Sequence, residues 1–299
     1  MTKKKIFIGS IVALGGIVAG EVFLRTCLGM CRAPLYEKSR EYEYMACPNQ
    51  DAFRFGNNIH YNSYSQRSDE PDSTKNIVLG LGDSVIYGGV MVDQDDIATS
   101  IFTRDTGVQM LNISAGSWGP DNCAAYLKKH GLFGAKAMSL VVSSHDAHDN
   151  MEFDEVVGKS VSYPDRQYFS AWAELIDRYV IPRVMKNKDD ANPDQKVLDG
   201  VNIHKRGKIF NPGVDQLDSI ARAAGIPFYV YLHADLDECD NREYNEQGQE
   251  IMAWAKSRSV QLIKEFDYKF TKEDYRDGIH LSKEGQQKLA EIMKRSIQL

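Results

Sequence analysis

The run Ile77-Val78-Leu79-Gly80-Leu81 carries no polar residue before it breaks into Gly82-Asp83-Ser84 and then Gly88-Gly89. A strand that is apolar at successive positions must be covered on both faces, which calls for a parallel sheet with helices above and below. The pattern that follows repeats this demand. Helical periodicity over Gln94–Asp105 leads to a strand at Gln109–Ile113, a helix at Asp121–Lys129 and a strand at Ser139–Ser143. Later come a helix at Gln216–Ala224, a strand at Phe228–Leu232 after Gly225-Ile226-Pro227, and a helix at Glu246–Arg258. A short strand at Val260–Ile263 and a final helix, capped by Ser282 and ending near Ile297, complete the series. The expected fold is a three-layer α/β/α sandwich around a mainly parallel sheet.

Two regions stand outside the alternation. Residues 26–75 form a lead-in with little clean periodicity, whose Tyr42, Tyr44, Phe53 and Phe55 imply packing around the main body at 76–299. Between 151 and 212 the alternation lapses, which marks an insertion: Trp172–Met185 reads as a helix broken near Pro182, and Lys186–Gly200 as a polar loop. An insertion of this length beside a sheet is expected to serve as a lid or substrate wall.

At the N-terminus Lys3-Lys4-Lys5 precede Ile6–Leu24, whose only charge is Glu21. That segment spans a hydrocarbon core of roughly 30 Å as a helix. Lysines at its start would stay cytoplasmic, leaving the remaining chain on the periplasmic or extracellular side of the inner membrane. Residues 1–25 are therefore a single-pass anchor. Cleavage after Val18-Ala19-Gly20 would instead release a secreted protein. A net charge of -6 without a basic stripe excludes a nucleic-acid partner. The cysteines form no CxxC pair, which argues against a cysteine zinc site; in an exported domain a disulfide such as Cys31–Cys47 becomes possible.

Ligands of open parallel sheets gather at the carboxyl ends of the strands. Four polar stretches follow strands or precede the last helix: Gly82-Asp83-Ser84, Asn112…Gly116-Ser117-Trp118-Gly119, Ser143-Ser144-His145-Asp146-Ala147-His148-Asp149-Asn150 and Asp277-Gly278-Ile279-His280. Ser84 is a candidate nucleophile, His280 its base and Asp277 the orienter of the imidazole. The glycine spacing does not fit a dinucleotide fingerprint, and Ser84 lacks a Gly-x-Ser-x-Gly elbow. His145, His148 and Asp149 are also plausible first-row metal ligands, but no further matched set accompanies them. Neither metal nor cofactor is expected.

These blocks resemble those of the SGNH/GDSL hydrolase superfamily, with its flavodoxin-like fold. The first and last match well, and the second is recognisable as Asn112…Gly116-x-x-Gly119. The third departs, with Ser143-Ser144-His145-Asp146 where the family has Gly-x-Asn-Asp. The resemblance implies an acyl-serine on Ser84 and an oxyanion hole of backbone N–H groups from Ser84 and Gly116 or Ser117. It places His145 as a third donor in place of asparagine. Asp83, Asp146, His148 and Asn150 are the expected substrate contacts, although Asp83 is better suited to bracing its loop than to chemistry, Asn112 is a turn or bracing residue, and a polar helix cap explains His148, Asp149 and Asn150 equally well. The anchor, Asn62, Arg67 and the Leu281-Ser-Lys-Glu-Gly285 that follows His280 resemble exported members that modify bacterial surface polysaccharides. The implied activity is removal of O-acetyl groups from a carbohydrate, with polysaccharide-assembly proteins as partners. Alternatives are an O-acetyltransferase using the same intermediate and a glycan-binding scaffold that has lost turnover.

Overall fold

The apolar-through strands assemble as expected. The computed structural model describes residues 3–186, 205 and 207–299. In chain order its elements begin with α1 (Lys3–Cys27), followed by the hairpin strands β1 (Tyr36–Ser39) and β2 (Glu43–Ala46), β3 (Gln50–Arg54) and β4 (Asn57–Tyr61). Next come β5 (Ile77–Gly82), α2 (Ser84–Tyr87), α3 (Ala98–Thr106), β6 (Gln109–Ser114), α4 (Pro120–His130) and β7 (Ala137–Ser143). The insertion contributes α5 (Ala171–Leu175) and α6 (Ile181–Lys186). The chain closes with α7 (Gly213–Ala224), β8 (Phe228–His233), α8 (Leu236–Asn241), α9 (Glu246–Arg258), β9 (Gln261–Lys264) and α10 (Lys283–Ser296).

The five-stranded sheet has the order β6-β5-β7-β8-β9 and is parallel throughout. Its side chains alternate between two cores. Ile77, Leu79, Leu81, Leu140 and Val142 face Ala124, Leu127, Leu217 and Trp254 of α4, α7 and α9. Val78, Met110, Val141 and Tyr231 face Ile101, Phe102, Leu289 and Met293 of α3 and α10. The order reverses between β5 and β7, so a crevice opens at their carboxyl ends. Ser84 follows β5 there.

The lead-in packs against the body and is more ordered than its pattern implies. β1–β2 and β3–β4 are antiparallel hairpins that bury Tyr44, Met45, Ile59 and Tyr61. Phe55 and Gly56, both at positive φ, turn β3 into β4. A two-residue loop of that kind usually announces itself as Asn-Gly, and Phe-Gly does not. Arg54 carries the hairpin onto the insertion by pairing with Glu174 at 2.7 Å, the two side chains being 2% and 1% exposed.

The insertion's helix runs from Ala171 to Lys186, with Ile176–Val180 in the wider π-helical spacing. Pro182 lacks an N–H and its ring crowds the preceding turn, and the widened turn is where the helix absorbs this. The polar loop expected beyond Lys186 lies outside the described residues up to Gly200. The five cysteines are free thiols, so Cys31 and Cys47 are not joined. Cys31 is instead buried with Leu24, Met30 and Ala171, its N–H bonded to Glu174. α1 is long and apolar enough to cross a membrane, and its Phe7, Ile11, Val12, Leu14 and Val18 are exposed. Glu21, near its end, accepts N–H bonds from Ala171 and Trp172.

Candidate active site

The position of Ser84, the candidate nucleophile, follows from a glycine with no room for a side chain. Gly82 ends β5 at φ +154, and a Cβ there would lie 2.5 Å from the carbonyl oxygen of Val141 on β7. Asp83 then caps α2, its carboxylate accepting the Val85 N–H at 2.8 Å. Ser84 is thereby held at the first helical position, at the rim of the β5–β7 crevice.

His280 arrives from a loop pinned at both ends. Tyr275 and Leu281 form a bridge, and the Arg276 N–H donates to the His280 carbonyl at 2.9 Å. Within it the Asp277 carboxylate accepts the N–H groups of Ile279 and His280 at 3.0 and 2.8 Å. The His280 ring stands between its two partners, with Nε2 2.9 Å from the Ser84 hydroxyl and Nδ1 2.9 Å from Asp277 Oδ2. Partial burial opposes ionisation of Asp277, but the bonds from the His280 ring and from the two N–H groups outweigh it. They hold the carboxyl far below the usual carboxylate range. Asp277 is thus an anion that orients the ring.

Two buried side chains keep the halves of this constellation in register. Gln286, the fourth residue of α10, donates to the Val85 carbonyl at 2.7 Å and accepts the Ala98 N–H at 2.9 Å. His233, at the end of β8, places Nε2 2.7 Å from the Ile279 carbonyl and Nδ1 2.6 Å from Glu265. Both ring nitrogens face acceptors, an arrangement that favours the doubly protonated ring. Burial alone would pull its pKa down, yet Glu265 and the Ile279 carbonyl prevail and raise it.

Ser84, Asp277 and His280 open onto a cavity of about 800 Å³, within the range of small-molecule sites. Its walls include Gly116, Tyr36, Tyr87 and Arg276, together with Phe55 of the lead-in and Ser160–Tyr163 and Tyr179 of the insertion. The Gly116 carbonyl accepts the hydroxyls of Tyr44 and Tyr163, each at 2.9 Å, which fixes that loop at the cavity's edge. Arg276 donates to the Gly88 carbonyl at 2.8 Å. Arg276 and the wall tyrosines were not among the expected site residues. Arg276 adjoins Asp277 and Tyr87 follows Ser84 by three residues, which was the available signal, whereas Tyr36, Tyr163 and Tyr179 come from the lead-in and the insertion, remote in sequence.

The other expected residues are placed differently. Gly116 lines the cavity but Ser117 and His145 do not. His145 Nε2 instead faces Asp83, Asp146 and Asp149 at 3.8–3.9 Å. The expected substrate contacts are likewise engaged away from the cavity. Asp83 and Asp146 are buried, His148 pairs with Glu250 at 3.0 Å, and Asn150 donates to the carbonyls of His148 and Ile209. Gly119 explains where that loop went: a Cβ on it would lie 2.0 Å from the Asp149 carbonyl, so the loop after β7 packs directly onto it. Asn112 is a bracing residue within β6 rather than a turn, donating to Ile86 and Thr99.

Fold and site together define an α/β protein with a Ser-His-Asp constellation at the switch point of a parallel sheet. No protein-family model and no curated protein matches the chain. Solved structures similar to it include a member of the lipolytic protein G-D-S-L family from Veillonella parvula DSM 2008. It is 9% identical over 74% of this chain and 97% of that one, at a TM-score of 0.41. TesA is 14% identical over 73% and 96%, at 0.44. A carbohydrate esterase whose active site displays divergent catalytic and non-catalytic binding functions is 11% identical over 74% and 64%, at 0.36.

Proposed function

We propose that this chain is a serine esterase of the SGNH/GDSL type, held at a membrane by α1 and acting on O-acetyl groups of a carbohydrate. The observation that carries the reading is the line Ser84–His280–Asp277, with both contacts at 2.9 Å. His280 Nε2 takes the Ser84 proton as Oγ attacks the ester carbonyl, then returns it to the departing alcohol. The backbone N–H groups of Ser84 and Gly116 receive the oxyanion. His145, turned toward three carboxylates, is left out of that role. Water then resolves the acyl-serine. Aromatic walls interleaved with polar groups, in a cavity much larger than an acetyl group, suit a sugar ring. The contacts of Glu21 with the insertion support an α1 that stays attached.

The wall contributed by Ser160–Tyr163 also favours a second reading, in which a sugar hydroxyl displaces water and the reaction is O-acetyl transfer. The test is aryl acetate turnover by the full chain in detergent, with and without an acetylated or free oligosaccharide. Ser84→Ala should lower kcat by at least about 10⁴. Free acetate released from the acetylated sugar names the esterase, and acetylated sugar gained from the aryl ester names the transferase. Undiminished turnover in Ser84→Ala refutes the covalent mechanism. Sugar binding without turnover leaves the scaffold.

A further inference from the structure

The loop after β7 completes a second polar cluster, which the ester chemistry does not use. His145 Nε2 lies 3.9 Å from Asp83 Oδ2, 3.9 Å from Asp146 Oδ1 and 3.8 Å from Asp149 Oδ2. Each separation is too long for a hydrogen bond, yet three carboxylate oxygens surround one imidazole nitrogen at nearly the same distance. The ligand atoms of Asp83, His145 and Asp146 all lie within 4.8 Å of one another. Nitrogen and oxygen ligands bind first-row divalent metals at about 2.0–2.2 Å, so atoms sharing an ion stand roughly 3–4 Å apart. The cluster needs only slight contraction to meet that.

An independent observation points the same way. Asp146 is 2% exposed, and its Oδ2 accepts the Ser143 N–H at 2.7 Å. Its Oδ1, directed at His145, has no hydrogen-bond partner among the described residues. Folded chains seldom bury a carboxylate oxygen without a donor. The nearby cation does not relieve it: Lys205 is bonded to Glu43 at 2.7 Å.

We infer that Asp83, His145 and Asp146, with Asp149 at the rim, form a site for one first-row divalent cation. One imidazole nitrogen and three carboxylate oxygens make a hard, mixed donor set that suits Mn²⁺. The His145 side chain is 43% exposed, which leaves an entry path and room for water ligands. A cation here ties the loop that presents Ser84 to the loop after β7. The inference stands on this geometry alone and does not depend on the ester reading.

The test uses the full chain in detergent, stripped with chelator and titrated with Mn²⁺. Bound metal is read by loss of the free-ion electron paramagnetic resonance signal and by calorimetry. Wild type should bind one equivalent saturably. His145→Gln and Asp146→Asn should each weaken binding at least about tenfold, since even outer partners of ligands are worth 10- to 100-fold. His148→Gln, on the same loop but paired with Glu250, should bind as wild type does. His145 is partly exposed, so His145→Gln keeps the test decisive even if Asp146→Asn misfolds. Absence of saturable Mn²⁺ binding in wild type, or undiminished affinity in His145→Gln, overturns the proposal.

Discussion

His233 lies outside the Ser84–His280–Asp277 line, yet the geometry makes the loop that carries Asp277 and His280 depend on it. Its imidazole bridges Glu265 and the Ile279 carbonyl, one residue before His280, and both members of the pair are buried. Glu265 also accepts the hydroxyls of Tyr231 and Tyr275. Replacing His233 with Gln removes one charge and leaves the Glu265 carboxylate buried with only neutral donors. Loss of one partner of a buried pair costs about 3–5 kcal/mol, and the two hydroxyls place this case near the lower bound. Glu265→Gln should cost a comparable amount, because it strands the imidazolium. The double variant removes both charges and should therefore fall short of the sum by about 1.5–3 kcal/mol. The assay is denaturant unfolding of the four proteins, followed by tryptophan fluorescence. The pH dependence has a definite sign. His233 has a raised folded-state pKa, so its contribution is complete below the unfolded imidazole value of about 6.5 and disappears as pH rises through the folded value. The stability gap between wild type and His233→Gln should thus be widest below about pH 6.5 and narrow as pH rises through the folded value. Because Ile279 is anchored through this ring, kcat should fall in the variant while KM holds. Additive single variants within about 0.5 kcal/mol, or a gap that does not change with pH, refute the reasoning.

Three further outcomes test other parts of the structure. Asp277→Asn should keep the fold but lower kcat by about 10³–10⁴, because the amide no longer stabilises the imidazolium; steady-state kinetics on an aryl acetate measure it. Gly82→Ala places a methyl against the Val141 carbonyl and should destabilise the chain by about 1–3 kcal/mol, with loss of turnover in whatever remains folded. Glu174→Ala leaves Arg54 buried without its carboxylate and strips Arg178 of a partner 2.9 Å away, so unfolding should show a loss of about 3–5 kcal/mol.

The sheet was legible because burial on both faces leaves a plain mark: runs such as Ile77–Leu81 and Leu140–Val142 admit few other folds. Helix ends were legible where caps are local, as at Ser282, whose hydroxyl accepts the Gly285 N–H, and α9 spans the residues its pattern marks out. The two hairpins of the lead-in were not. Their buried tyrosines pack against Trp118, Tyr126 and Tyr163, partners that are remote in sequence, and Phe55-Gly56 is an unusual turn. Short α2 and α8 were also missed, since neither is long enough to show a period.

The candidate site divides along the same line. Ser84, Asp277 and His280 meet because each is fixed by its own backbone neighbourhood: a glycine and a cap for the serine, a pinned loop for the pair. Motifs of that kind can be read locally. His145 occupies the register position where the resembling family has its asparagine, but register fixes only the Cα. The direction of its ring is set by what packs around the loop, namely the close approach at Gly119 and the carboxylates of Asp83, Asp146 and Asp149. Two of those carboxylates lie in the same sequence block as His145 and the third adjoins Ser84. The sequence pattern places Asp83 and Asp146 among the expected substrate contacts, because polar residues beside a candidate nucleophile have that meaning in most sites. The structure buries both, Asp83 and Asp146 each being 2% exposed, and a charge placed there must answer to its neighbours.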